Sequence, residues 1–126
     1  MGFLNGWFGD GQPDAKIDWN ELTHVAQLDG LVEQSNTRPI LVFKHSTRCG
    51  ISRMVLKRFE SEFDFQDKVI PYFLDLLAHR DISDAISQRF NVVHQSPQVL
   101  MIKDGRCVYD VSHEEVSAVS IAPSLV

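Results

Sequence analysis

Pro39-Ile40-Leu41-Val42-Phe43-Lys44-His45-Ser46-Thr47-Arg48-Cys49-Gly50-Ile51-Ser52-Arg53 reads as a buried strand, a short turn and the start of a helix. The unbroken apolar run from Ile40 to Phe43 behind Pro39 is the pattern of a strand covered on both faces. From Ile51 the period changes. Ile51, Met54, Val55, Phe59 and Phe63 recur three or four residues apart, which marks one face of a helix. Cys49 stands at the junction. Unpaired amides and the positive end of the helix dipole stabilise anions there, favouring thiolate over thiol. From Arg38 to Phe59 the chain holds six Lys or Arg and no Asp or Glu, while the rest holds six basic against seventeen acidic residues. A cationic segment centred on a cysteine, in a chain of net charge −5, points to nucleophilic sulfur chemistry at Cys49.

The 126 residues suffice for one domain with a real core. The acidic balance argues against nucleic acid as a partner. Cys49 and Cys107 are too few for a disulfide scaffold and fit a reducing, cytoplasmic setting. Met1 to Gly9 is apolar but short, lacks basic residues and is broken by glycines, so neither a signal peptide nor a membrane span is expected. The expected organisation is a loose arm over 1–16, a domain over 17–121 and a frayed tail over 122–126.

Outward from the cysteine helix, the spacing predicts a strand at 17–19 and a helix at 25–35, with Asp18, Asn20 and Thr23 as cap candidates. A second apolar run, 69–76, is a strand whose Pro71 marks its start or an edge. Asp81 and Ser83 are cap candidates for a helix carrying Ile82, Ala85, Ile86 and Phe90, closed by Asn91. A strand at 99–103, an Asp104-Gly105 turn and a return strand at 107–111 form a hairpin. Ser112 is expected to cap a last helix with Glu114 and Glu115 in its first turn. The order β-α-β-α-β-α-β-β-α, with crossovers that make the first three strands parallel, is the thioredoxin-type α/β arrangement: a central mixed sheet of four to five strands flanked by helices. That topology brings Cys49, the 77–80 segment, His94 to Pro97 and Ser112-His113 to one edge of the sheet.

Ser52 takes the second position of a C-x-x-C motif, so Cys49 cannot close a disulfide within it, and a mixed disulfide is its natural product. Ser52 also reads plainly as a first-turn residue satisfying a local amide. Cys107 lies about seven residues from Pro97 along the hairpin, ~23 Å at strand rise, beyond the ~7 Å a disulfide allows, so it reads as structural. Ser96-Pro97 is expected to be a cis bond that leaves the Ser96 backbone free to pair with substrate. Lys44 and His45 point to opposite strand faces, so one at most faces the thiolate. Arg53, Lys57 and Arg58 read as a solvated helix face. None of the five histidines falls in a zinc-type spacing, and no metal site is expected.

The run Phe43 to Ser52 resembles the monothiol bacilliredoxins, the YtxJ-like bacillithiol-system redox-active family. Trp19 to Leu22, Leu74-Asp75, Arg80 with Ser83, His94-Gln95-Ser96-Pro97-Gln98 and Ser112-His113 resemble that family's pattern as well. The resemblance implies a thioredoxin fold and removal of bacillithiol from S-bacillithiolated proteins. Cys49 would be the nucleophile and bacillithiol a co-substrate, with no resident cofactor. Lys44, His45, Thr47, Arg48, Gly50, Ser52, Arg80, His94, Ser96, Pro97 and His113 would stabilise the thiolate or bind substrate. The implied partners are bacillithiol and bacillithiolated proteins, with no nucleic acid, no membrane and a monomeric state. Gly50 departs from the proline frequent after the cysteine in that family. Cys-Gly-Ile-Ser is also similar to the Cys-Gly-Phe-Ser motif of monothiol glutaredoxins, which bridge [2Fe–2S] clusters with glutathione. Those proteins carry paired glycines after the hairpin, where this chain has Cys107 to Glu115. A cluster carrier and a redox-inactive thioredoxin-like adaptor stand as alternatives; the adaptor would need no activated thiol.

Overall fold

The computed structural model describes residues 17–65, 67–121 and 123. The expected arm at 1–16 and nearly all of the expected tail at 122–126 lie outside these residues. The elements are β1 (Asn20–Glu21), α1 (Gln27–Gln34), β2 (Ile40–His45), α2 (Gly50–Glu62), β3 (Ile70–Asp75), α3 (Arg80–Phe90), β4 (Gln98–Lys103), β5 (Arg106–Ser112), a 3-10 turn (His113–Glu115) and α4 (Ala118–Ile121). The sheet order is β1-β3-β2-β4-β5. β1, β3 and β2 run parallel, and β4 is antiparallel to both β2 and β5. This is the thioredoxin-like sheet that the crossovers predict.

Strand alternation divides the core into two layers. Ile40 and Val42 face α1 and α3, where Leu28, Leu31, Ile82 and Ile86 close over them. Leu41 and Phe43 face α2 and α4, against Val55, Phe59 and Ile121. Phe43 and Phe59 meet at 5.3 Å with rings tilted 66°, an edge-to-face pair. Phe43 also stacks on Phe73 at 6.4 Å. Burying a side chain of this size stabilises the fold by about 2–3 kcal/mol.

Several local expectations are corrected. The first strand forms at Asn20–Glu21 instead of 17–19, because these residues register on Tyr72 and Phe73 of β3 while Ile17 is buried in the core. Pro71 marks a strand start as expected, since it precedes the stretch of β3 that β1 pairs. None of Asp18, Asn20 or Thr23 caps α1. The Gln27 side chain folds back instead, accepting the amides of Thr23 (2.7 Å) and His24 (2.9 Å). His79, not Asp81 or Ser83, is the N-cap of α3, and Ser112 makes no side-chain cap to the 3-10 turn. The last helix begins at Ala118, after that turn. Asn91 does close α3, in the left-handed conformation at φ 55°. Asp104 and Gly105 both take positive φ, 52° and 78°, as a tight hairpin requires.

The cysteine helix is also rotated relative to its apolar spacing. Ile51 and Met54 are 45% and 54% exposed, whereas Ser52 is fully buried between the helix and the sheet. A polar contact from Ser52 to the strand below fixes this rotation.

Candidate functional site

β2 delivers its turn to the edge of the sheet where β3 also ends. The Ser46 carbonyl accepts the Cys49 amide at 3.2 Å, and the Cys49 carbonyl accepts the Arg53 amide at 3.1 Å. Cys49 is therefore the N-cap of α2, in extended conformation (φ −102°, ψ 119°), and is partly buried. Thr47 and Arg48 are exposed in the turn. Arg53 donates to the Thr47 carbonyl at 3.0 Å, which holds its guanidinium over the turn. Gly50 is the first residue of the helix, where proline is favoured, and an extended residue before it suits proline as well. A Cβ at Gly50 would meet only the Arg53 side chain, at 3.9 Å. Position 50 thus has room for a Cβ.

The other arms of the edge converge as the topology predicts. Lys44 registers on Gln98, and Gln98 on Ser112, so Pro97 sits where β2 turns towards Cys49. The Ser96–Pro97 bond is cis. The Pro97 carbonyl accepts the His113 amide at 2.8 Å, and Gln95 Oε1 accepts from His113 Nε2 at 2.9 Å. These two contacts hold His113 at φ 60°, a conformation costly for a residue with a side chain. The Ser96 hydroxyl is buried with no hydrogen-bond partner among the described residues.

Two polar clusters lie on opposite faces of this edge. On the α2 face, His45 Nδ1 lies 2.8 Å from Ser52 Oγ, and Ser52 Oγ accepts the Ser46 amide at 3.1 Å. Asp75, the register partner of His45, shares this face. Burial lowers the pKa of His45 below the ordinary histidine value; the Asp75 charge opposes this and Arg53 adds to it. On the α3 face, Lys44 Nζ lies 2.8 Å from His94 Nδ1, and the Ser83 hydroxyl lies 3.0 Å from the same nitrogen. Lys44 is completely buried. Burial lowers its pKa from 10.5 to about 8, against the pull of Asp84. Burial also lowers His94, helped by the charges of Lys44 and Arg80 and opposed by Asp84. With His94 neutral, the Lys44 ammonium donates to a bare Nδ1.

The cationic segment is dispersed in space. Arg48 and Arg53 stay at the Cys49 turn. Lys44 is carried to the opposite face by strand alternation, and Arg38 precedes the far end of β2. Arg58 is not a solvated residue as its helix position suggests. It donates to the carbonyls of Glu114 (2.8 Å) and Val116 and ties α2 to the 3-10 turn. Arg80 opens α3, exposed, with its charge felt at His94. Cys107 is far from this edge: it registers on Ile102, which registers on Ile40 at the start of β2. The length of β2 alone puts about 17 Å between the two ends. Burial raises the pKa of the Cys107 thiol, and its S–H donates to the Tyr109 carbonyl at 3.4 Å. Sequence reasoning gave Asp75 no role at the site and read Ser83 as a cap candidate; the parallel register of β2 and β3 is the signal that places Asp75 beside His45.

Residues 20–121 match the family model described as monothiol bacilliredoxin BrxC. The chain belongs to the monothiol bacilliredoxin family. Solved structures agree on the fold of this bacilliredoxin-family chain. It is similar to a protein of thioredoxin fold at 29% identity, with 82% of this chain and 90% of that chain covered and a TM-score of 0.72. The thioredoxin of Fasciola hepatica superposes at 20% identity over 83% of this chain and 94% of its own, TM-score 0.64. Mitochondrial thioredoxin 3 of Saccharomyces cerevisiae does so at 16% identity over 85% and 92%, TM-score 0.66. Membership of the bacilliredoxin family, on an oxidoreductase fold, gives the chain a role in thiol redox chemistry. No helix among the described residues is long and apolar enough to cross a membrane.

Proposed function

We propose that this protein is a monothiol thiol–disulfide oxidoreductase that takes bacillithiol from S-bacillithiolated proteins. One observation carries the reading: Cys49 is the lone cysteine at the N-cap of α2, with a buried serine in the second position of the motif and Cys107 at the other end of the sheet. The Cys49 thiolate attacks the bacillithiol sulfur of the mixed disulfide. The old S–S bond breaks, the target cysteine leaves as thiolate and takes a proton, and bacillithiol remains on Cys49 in a new disulfide. A second thiol from solution must then resolve it. No electrons are gained or lost overall in the first step. Two free cysteines suit a reducing cytoplasm.

Bacillithiol is a cysteinyl-glucosaminyl malate whose two carboxylates need cationic or N–H partners. Arg48, next to Cys49 in the turn, and Arg53, bonded to the Thr47 carbonyl of that turn, are the cations suited to them, while buried Lys44 contributes to this edge through His94. Single-turnover transfer from a bacillithiolated and a glutathionylated protein tests the reading. Bacillithiol transfer is expected to be the faster, and Arg48→Ala to reduce that preference by about 1–2 kcal/mol, the worth of a charge-assisted hydrogen bond. Equal rates, unchanged in Arg48→Ala, would leave a generic thiol.

Reactivity towards iodoacetamide separates the two cysteines without any substrate. Cys49 is expected to alkylate at least about tenfold faster than Cys107 near neutral pH, because Cys107 is partly buried with its pKa raised. Peptide mapping of the labelled protein reads both rates, and faster labelling of Cys107 would reverse the assignment.

A further inference from the structure

Between Val92 and Pro97 the loop joining α3 to β4 makes no backbone–backbone hydrogen bond among the described residues, so side chains hold it. Gln98 donates its amide to the Val93 carbonyl at 3.0 Å. Lys44 Nζ and the Ser83 hydroxyl meet His94 Nδ1 at 2.8 and 3.0 Å. His113 Nε2 donates to Gln95 Oε1 at 2.9 Å. The two histidine contacts respond to a proton in opposite ways. His113 donates, and an imidazolium donates better than an imidazole. His94 accepts. A lysine ammonium has three donors and no acceptor, so Nδ1 must be bare to meet it, and the proton of the neutral ring sits on Nε2. Lys44 is 0% exposed, and His94 Nδ1 is the acceptor its ammonium has among the described residues. His94 itself lies exposed at the surface.

We propose that His94 is a proton-released clip: with Nδ1 bare it pins the loop to Lys44 of β2 and Ser83 of α3, and a proton at Nδ1 frees it. The proton comes from water, and the only bond formed is the N–H. Protonation turns that N–H onto an ammonium 2.8 Å away. The Ser83 oxygen can accept from one of the two cations, and the other is left facing it. Lys44 is fixed on a strand and fully buried, whereas His94 is at the surface, so the ring is the group that moves out to water. The surroundings of His94 set where this happens. Burial opposes the imidazolium most, and the charge of Lys44 from β2 comes next; Asp84 from α3 favours it and Arg80 from α3 opposes it. Release therefore falls on the acid side of the ordinary histidine range. The loosened stretch leads directly into Ser96, whose backbone the sequence marks for pairing with substrate.

The test is NMR of the unaltered protein, with ring 15N shifts of His94 and backbone amide relaxation over residues 93–96 followed from about pH 7.5 to about pH 5. At the neutral end Nδ1 should be bare and Nε2 protonated, and these amides should show the order parameters of rigid backbone, about 0.85. As His94 takes its proton they should fall below about 0.6, while the titration of His113 leaves them unchanged. Lys44→Met separates the clip from a loop that answers to charge alone. There Ser83 donates to a bare Nδ1 and accepts from a protonated one, so the ring keeps its place in acid. In that variant the order parameters should stay near about 0.85 throughout, and His94 should take its proton at higher pH than in the parent. An Nδ1 already protonated at neutral pH would overturn the proposal, as would order parameters that do not change while His94 titrates; both are read on the parent and need no variant to fold. A fall that persists in Lys44→Met would overturn it as well. None of these readouts involves Cys49 or a thiol substrate. A protein that behaves in this way yet transfers no bacillithiol would lose the proposed substrate and keep the His94 clip.

Discussion

Cys49→Ser is expected to reduce transfer of bacillithiol from a protein mixed disulfide to the uncatalysed background, while Ser52→Ala leaves the first step largely intact near neutral pH. The contrast follows from where sulfur is found. Ser52 offers only a buried oxygen that accepts the Ser46 amide and lies 2.8 Å from His45 Nδ1, with no hydrogen bond to the Cys49 sulfur among the described residues, so its loss removes nothing from the attacking sulfur. Cys107 cannot stand in, since β2 separates its end of the sheet from the Cys49 edge. Loss of folding is not a competing explanation for Cys49→Ser. Serine is among the preferred N-cap residues, able to accept a first-turn amide that Cys49 leaves without a side-chain cap, so the variant should be as stable as its parent or more so. Release of the target thiol followed by intact-mass spectrometry, with a thermal melt on the same samples, decides the matter. Transfer that survives in Cys49→Ser and disappears in Cys107→Ser would place the nucleophile on the wrong strand.

The strand-turn-helix around Cys49 was legible because two periods meet there: an unbroken apolar run that only a doubly covered strand tolerates, then a three-to-four spacing. The edge was legible for the same reason. Once three strands are parallel and the hairpin follows, Pro97 and His113 must return to the cysteine's end, and the Pro97 carbonyl accepts the His113 amide there. What escaped was tertiary. Ile51 and Met54 look like core by spacing, yet Ser52 takes the buried position because His45 below it offers a hydrogen bond and an isoleucine does not. Six nearby cations in sequence became two at the turn, since Lys44 alternates to the far face and Arg58 turns to the 3-10 carbonyls. Ser83 satisfies every rule for a cap, but its partner is His94, eleven residues on. Local capping rules see only the helix itself; the competing acceptor arrives from a loop that no local window contains.

Lys44→Met is expected to flatten part of the stability curve between about pH 8 and 10.5. An unfolded lysine titrates at 10.5, and buried Lys44 at about 8 because burial disfavours its ammonium more than Asp84 supports it. Below pH 8 both states hold the proton, and the folded protein bears the full cost of a buried cation. Between the two values the unfolded chain keeps its proton and the folded protein has released it. The unfolded state then binds more protons, so stability rises with pH. Above 10.5 both are neutral and the gain is complete. At about 1.36 kcal/mol per pKa unit, the gain is on the order of 3 kcal/mol. Tyr72 and Cys107 pull the other way: burial raises both, the folded state keeps their protons longer, and stability falls through the alkaline range. The Lys44 effect is therefore read as the difference between parent and Lys44→Met, in which those contributions cancel. Methionine matches the unbranched stem of lysine, and the Ser83 hydroxyl remains on His94 Nδ1, so no buried acceptor is left bare. Urea unfolding of both proteins at several pH values gives that difference. It should shift in favour of the parent by about 2–3 kcal/mol on going from pH 8 to 10.5. A difference that stays constant would show that Lys44 keeps its charge in the folded protein and that His94 and Asp84 solvate it as well as water does.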